Sequence, residues 1–433
     1  MSALTSSSSK MPLNKIKKYK LRLINALLRL APMAAKLALT LYMVRYFTFA
    51  EIGTYGLVVG AVTMLTVIIG QDLIYVVSRD IVGDDSATVL HKMRDQAIHY
   101  LLNYFVMIVF IVCLNVTHGI DVPRRTVIYV LILTVLESLG TVTYYNLISL
   151  QHQVWANALF FIRSGFWVLP VLALGTLNPA LRTANFILAG WTFGAAANLV
   201  FTLWYWRDMP WREVMLRPVN WAWLKQGIKL GCPIWLGMMG LTAGTFSDRF
   251  VVHHYLTIED VGVLTFYFSF ANALLALMQS GIGAFAAPRL IQHHRDGAAA
   301  EFHNEAKQAW KQIAIGAGGM ALGLGIVIPL LGYSLGRPVL VASAGVFWMM
   351  MFATWLRANA DMLNYMLYAR HQDRAVWMGN LLFLIPALGG NILLVPLLGF
   401  PGVGYSSIVA AAFLYTWRWQ HVRRYTTARV QTH

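Results

Sequence analysis

The sequence predicts an all-α membrane protein of about twelve transmembrane helices, in two six-helix lobes related by an internal parallel repeat around a central cavity. Three observations predict it. Of 433 residues, 58% are hydrophobic and only 12% are charged, about half the charged share of a soluble domain. The apolar runs continue for roughly 20 residues, the length a helix needs to cross the hydrocarbon, and lack the alternation of barrel strands. A short pattern between the first two runs returns about 209 residues later, between the seventh and eighth.

In chain order, a Ser-rich and then basic tail comes first, residues 1–22, with Lys10, Lys15, Lys17, Lys18, Lys20 and Arg22. The apolar stretch after it has full length and no clear small-residue cleavage site, which predicts a retained first span. Spans at 24–45, 53–77, 98–117, 126–148, 156–177 and 184–206 form an N-terminal lobe, 23–206. The stretch 207–228 places Trp211, Trp221 and Trp223 beside Arg212 and Lys225. Tryptophan next to basic residues suits the headgroup level and predicts an interfacial cytoplasmic linker. Spans at 229–252, 262–284, 312–334, 339–365, 377–398 and 402–419 form a C-terminal lobe, 229–420, and leave 421–433 as a second cytoplasmic tail.

Lys and Arg gather in the tails and in alternate loops, so the positive-inside rule puts both termini in the cytoplasm. Arg418 is counted there with Arg423, Arg424 and Arg429. The loops on the other side are short and leave no outer domain for chemistry. A net charge of +16 would suggest nucleic acid in a soluble protein. Here the charges sit between apolar runs, and lipid headgroups and topology account for them without a nucleic-acid partner. Cys113 and Cys232 have no metal or redox spacing, and the pairs His253-His254 and His293-His294 lack the partners of a metal site. Glycines such as Gly316, Gly318 and Gly319 lie inside a span, where they let helices approach and do not form phosphate loops. No enzyme signature and no cofactor motif is found.

The repeat aligns Arg45-Tyr46-Phe47-Thr48-Phe49-Ala50-Glu51-Ile52-Gly53 with His254-Tyr255-Leu256-Thr257-Ile258-Glu259-Asp260-Val261-Gly262, without gaps. A second echo, Gln151-His152-Gln153 against Arg370-His371-Gln372, follows the fourth span of each half. Together they suggest duplication of a six-span unit. Six is even, so both copies insert the same way, the symmetry axis lies along the membrane normal, and lobe rocking gives alternating access.

Ionisable residues at bilayer depth cost about 2.5–3.5 kcal/mol each when they face lipid, so they are expected to face a wet cavity or a partner. Arg29 and Lys36 share one face of span 1, with Pro32 between them; Arg163 lies in span 5, Asp248 and Arg249 in span 7, and Arg357 and Asp361 in span 10, four residues apart and able to pair. Lys36, Arg163, Arg357, Arg29 and Arg249 are the candidate substrate-binding residues. Glu137, Asp248, Asp361 and Asp72 are the candidate ion-coupling carboxylates. Plainer roles stand beside these: snorkelling for Arg29, anchoring a helix end for Arg249, neutralising Asp361 for Arg357, and acting as counter-ions for Glu137 and Asp248. A cationic cavity of this kind suits an anion, with phosphate matching the guanidinium fork, and a diphosphate-linked lipid could leave its tail in the bilayer.

Four stretches carry a resemblance: Arg45 to Gly56; Ser78-Arg79-Asp80-Ile81; Asp248-Arg249 followed by Glu259-Asp260-Val261-Gly262; and Asn391 to Gly399 followed by Gly402-Val403-Gly404. In their order and topology the chain resembles the Wzx-type polysaccharide-transport flippases of the multidrug/oligosaccharidyl-lipid/polysaccharide exporter superfamily, over nearly its whole length. The resemblance implies two lobes in a V, opening alternately, in a bacterial inner membrane. It implies a polyprenyl-diphosphate-linked oligosaccharide of the undecaprenyl-diphosphate type as cargo, for capsule, exopolysaccharide or O-antigen. It also implies H+ or Na+ coupling, and makes membrane lipids and the polysaccharide polymerase and export machinery candidate partners. Two departures are clear. The two extra C-terminal spans of lipid II flippases have no counterpart, and Val263-Leu264-Thr265 replaces the Thr54-Tyr55-Gly56 of the first copy. The rival readings are an ion-coupled drug exporter of the same superfamily, which calls for an acidic cavity, and a membrane-embedded polysaccharide polymerase, which calls for a large outer loop.

Overall fold

The computed structural model describes residues 13–70, 73–118 and 123–430. Asp72 lies outside the described residues. Twelve long rods follow in order: α1 Leu13–Tyr46, α2 Phe49–Gly70, α3 Ser86–His118, α4 Arg124–Ser149, α5 Gln153–Leu177, α6 Ala184–Tyr205, α7 Trp221–Tyr255, α8 Ile258–Arg295, α9 Ala299–Ser334, α10 Ala344–Ala369, α11 Asp373–Leu398 and α12 Pro401–Val430. Short helices at Leu73–Asp80, Trp211–Met215 and Pro338–Ala342 join them. Nine rods are long and apolar enough to cross a membrane, counted over the described residues. The other three, α7, α10 and α12, carry Asp248 and Arg249, Arg357 and Asp361, and Arg418. This is a multi-pass membrane protein.

Several rods run past the ends that hydropathy predicts. The helix of α3 begins at Ser86 rather than near 98, that of α9 at Ala299 rather than near 312, and α12 continues to Val430. These extensions are polar, so a hydropathy window passes over them, while their backbone still forms intrahelical bonds. Asp85 starts α3 by accepting hydrogen bonds from the backbone N–H of Ala87 and Thr88.

The first six rods form one bundle, in which α4 packs on α2, α5 and α6, and α1 packs on α5. The last six form a second, in which α10 and α11 pack on α12, α9 on α10, and α7 on α11. The bundles meet where α2 lies on α7 and α8, and where α1 touches α8.

The repeated motif builds that junction. Thr48 and Glu51 form a reciprocal cap at the start of α2, and Thr257 and Asp260 form the equivalent capping box on α8. The two helix starts then cross at equivalent glycines. A Cβ on Gly53 would collide with the backbone of Ile258, and one on Gly262 with the backbone of Phe49. The departure between the copies is explained at the same crossing, because a Cβ on Gly56 would overlap the side chain of Thr265, its partner at the same offset. One helix supplies the gap and the other the hydroxyl that fills it. The largest buried apolar cluster surrounds this crossing, with Met43, Val44, Phe47, Val252, Phe266, Tyr267 and Phe347. The two bundles therefore pack against each other on the face away from the chain termini.

On the terminal face, the linker between the halves is fixed to the first half. Arg94 of α3 donates to the carbonyls of Val214 and Arg217, both at 2.6 Å, and to Pro218 at 3.1 Å. Asp95 pairs with Arg94 and accepts from the Asn220 N–H at 2.9 Å, and Asn220 in turn caps α7 through Trp223 N. Trp223 Nε1 donates to Asp80 at 2.7 Å, tying the second half to the helix that follows α2.

Candidate functional site

Two cavities flank α8 at mid-depth. The first, of about 440 Å³, lies among α1, α2, α4, α5, α6, α7 and α8 and includes Lys36, Tyr55, Glu137, Trp191 and Arg249. The second, of about 230 Å³, lies inside the second bundle and includes Asp248, Gln279, Thr354, Arg357, Asp361 and Asn391. Phe268, Asn272 and Ala276 of α8 face both.

On the first side, Glu137 is the hub. Its Oε1 accepts from Trp191 Nε1 at 2.7 Å, and its Oε2 lies 3.4 Å from Arg163 Nε. Arg163 Nη1 donates to the Glu137 carbonyl at 2.8 Å and to Thr141 Oγ1 at 3.1 Å. Arg163 stands in a π-turn, Ile162–Phe166, that widens α5 and swings its side chain toward α4. Gly140 leaves the space the guanidinium needs, since a Cβ there would overlap it. Arg163 is thus placed behind Glu137 and is not among the cavity-lining residues. Lys36 is different. It lines the same cavity and enters none of the ion pairs formed among the described residues.

On the second side the hub is Asp361. Its Oδ1 accepts from Arg418 Nη1 at 2.8 Å and lies 3.6 Å from Arg357 Nε, and its Oδ2 accepts from Gln279 at 3.3 Å. Gln279 opens the π-turn of α8, Gln279–Gly283. Arg418 also donates to Asn380 Oδ1 at 2.9 Å and is 1% exposed. Arg418, grouped by sequence with the basic residues of the terminal face, is thus packed inside the second bundle. Its sequence signal is an arginine at the end of an apolar run, facing another span that carries Asn380.

Asp248 and Arg249 join the two sides. Neighbours on α7, they face different cavities, yet Arg249 Nη1 donates to Asp248 Oδ1 at 2.8 Å. The Arg249 guanidinium lies 4.1 Å from the Phe268 ring centre and 5.0 Å from that of Phe246. The pair sits inside the interface, well short of the α7 end at Tyr255. Arg29 stands apart from both cavities, exposed, with its Nε 3.3 Å from Asn157 Oδ1. Four guanidiniums, Arg163, Arg249, Arg357 and Arg418, thus share three carboxylates, Glu137, Asp248 and Asp361, and Lys36 lines the first cavity outside these pairs.

The fold of the two bundles is found in solved structures. One is described as lipid II flippase MurJ in an inward closed conformation, with a TM-score of 0.74, 11% identity, and coverage of 93% of this chain and 87% of that one. Another is the inward-facing conformation of a multidrug resistance MATE family transporter of the MOP superfamily, with a TM-score of 0.68, 14% identity, and coverage of 93% and 99%. The fold is theirs. An outward-facing MATE family transporter of the MOP superfamily gives a TM-score of 0.56 at 13% identity, covering 93% and 96%. No family model and no curated protein sequence matches this chain.

Proposed function

We propose that this protein is a flippase. It moves polyprenyl-diphosphate-linked oligosaccharide repeat units from the cytoplasmic to the periplasmic leaflet of a bacterial inner membrane, by alternating access, in the biosynthesis of a surface polysaccharide. The observation that carries the reading is Lys36, a basic group that lines the central cavity and enters no ion pair among the described residues, and that suits one charge of a diphosphate. Arg249 adds its partly engaged guanidinium on the opposite wall, and Tyr55, Trp191 and the hydroxyls of Thr40, Thr63 and Ser269 offer sugars stacking faces and hydrogen bonds. The lipid tail stays in the bilayer. Both termini lie in the cytoplasm by the Lys and Arg distribution, so the cavity loads from that side. Glu137 is the first candidate for H+ or Na+ coupling, since it lines the cavity and has one guanidinium partner, whereas Asp361 has two.

The test is reconstitution into vesicles and the movement of a labelled polyprenyl-diphosphate oligosaccharide. Lys36→Ala is expected to slow movement about tenfold or more, the worth of one charge-assisted hydrogen bond. Arg357→Ala, which also lines a cavity, is expected to slow it less. Export of a cationic drug, with no movement of any lipid-linked saccharide, would replace the flippase by a drug exporter.

A further inference from the structure

We propose that a groove on the flank of the second bundle, between α7 and α11, holds one anionic phospholipid of the surrounding bilayer. The two helices touch through glycines: a Cβ on Gly237 would press into the Trp377 backbone, and one on Gly240 into that of Leu381. Toward the terminal face they part and leave an open volume of about 480 Å³. Trp377 forms its floor, and Ile228, Cys232, Pro233 and Leu236 form an apolar wall. Lys225 and Lys229, both exposed, stand at its mouth.

The polarity of the groove runs the way a phospholipid does. Lys225 precedes Leu236 by about three helical turns, or about 16 Å at 1.5 Å per residue, which takes the groove from headgroup depth into the acyl region. Trp221, one turn before Lys225 and 51% exposed, sets that depth as an interfacial anchor. Lys225 and Lys229 are one turn apart on one helix face, and neither enters an ion pair among the described residues. Two like charges at this spacing repel each other. A phosphate between them removes the repulsion while an acyl chain covers Trp377 and Leu236. The site lies on the outer flank and shares no residue with either central cavity, so it stands or falls independently of the transport reading.

The experiment is native mass spectrometry of the full chain in detergent, titrated with dioleoyl phosphatidylglycerol or with phosphatidylethanolamine of the same chains. Wild type is expected to retain one phosphatidylglycerol in preference to phosphatidylethanolamine, by about fivefold for each lysine engaged. Lys225→Gln with Lys229→Gln should remove the preference, and Lys225→Arg with Lys229→Arg should keep it. In nanodiscs with bromine-labelled acyl chains, wild-type tryptophan emission should be quenched more than that of Trp377→Phe. No preference in wild type, as expected of lysines that only snorkel, or the same preference in the glutamine pair, would overturn the proposal. Equal quenching in wild type and Trp377→Phe would overturn it too.

Discussion

The two bundles handle a carboxylate at bilayer depth in opposite ways. In the first, Glu137 is held by one guanidinium and one indole, and a further basic residue, Lys36, lines the cavity and enters no ion pair among the described residues. In the second, Asp361 is held by Arg357 and Arg418, with Asn380 and Gln279 completing the network. The first cluster leaves Lys36 outside its ion pairs, on the cavity wall. The second uses its charge internally, between α10, α11, α12 and the π-turn of α8.

The sharpest way to break this comparison is to empty the second cluster. Asp361→Ala leaves the buried Arg418 and the half-buried Arg357 without their shared carboxylate, and removing one partner of a buried pair costs about 3–5 kcal/mol. The expected result is loss of folded protein, or a large fall in Tm in detergent. Adding Arg418→Met should recover much of it, since both charges then leave together. If Asp361→Ala melts like wild type, the cluster is not a structural staple.

A smaller effect tests the junction that both halves share. Gly262→Val places a branched side chain against the Phe49 backbone, and overpacking of this kind costs about 1–3 kcal/mol. Because the crossing packs the two bundles together on the face away from the termini, the variant should also expose that face. Labelling of a cysteine introduced at Thr54 by a membrane-impermeant reagent should rise several-fold relative to the same cysteine in the wild-type background. Unchanged labelling would mean that the glycines only save space.

How much of this was legible in the sequence varies by element. The twelve spans, and the ionisable residues inside them, follow from composition and position. The repeated motif was visible as letters, and the structure gives its physical content: two capping boxes and two glycines that face each other across the pseudo-symmetry axis. The pairing of Arg163 with Glu137 crosses two helices and depends on a π-turn that leaves no mark in hydropathy. Arg418 was hidden by the end of its apolar run, because a hydropathy window reports the width of the hydrocarbon and not the length of the helix. The three rods below the hydropathy threshold, α7, α10 and α12, are the ones that carry the charges of the second cavity and of the interface.

The smallest expected effect concerns the tie between the halves on the terminal face. Asp80 accepts hydrogen bonds from Lys92 at 2.8 Å and from Trp223 Nε1 at 2.7 Å. The bond from Lys92, and then that from Trp223, hold its carboxyl below the ordinary aspartate range. The sign follows: with a folded pKa below the unfolded value of about 3.9, the tie contributes in full above that value and is lost as pH falls through the folded pKa. Asp80 is 44% exposed, so solvent screens the interaction and the contribution is at most about 1 kcal/mol. Asp80→Asn should therefore lower Tm slightly, by the same amount anywhere between pH 5 and 8. The gap to wild type should close toward pH 3, provided both remain folded there. A gap that changes between pH 5 and 8 would point to another titrating group at this tie.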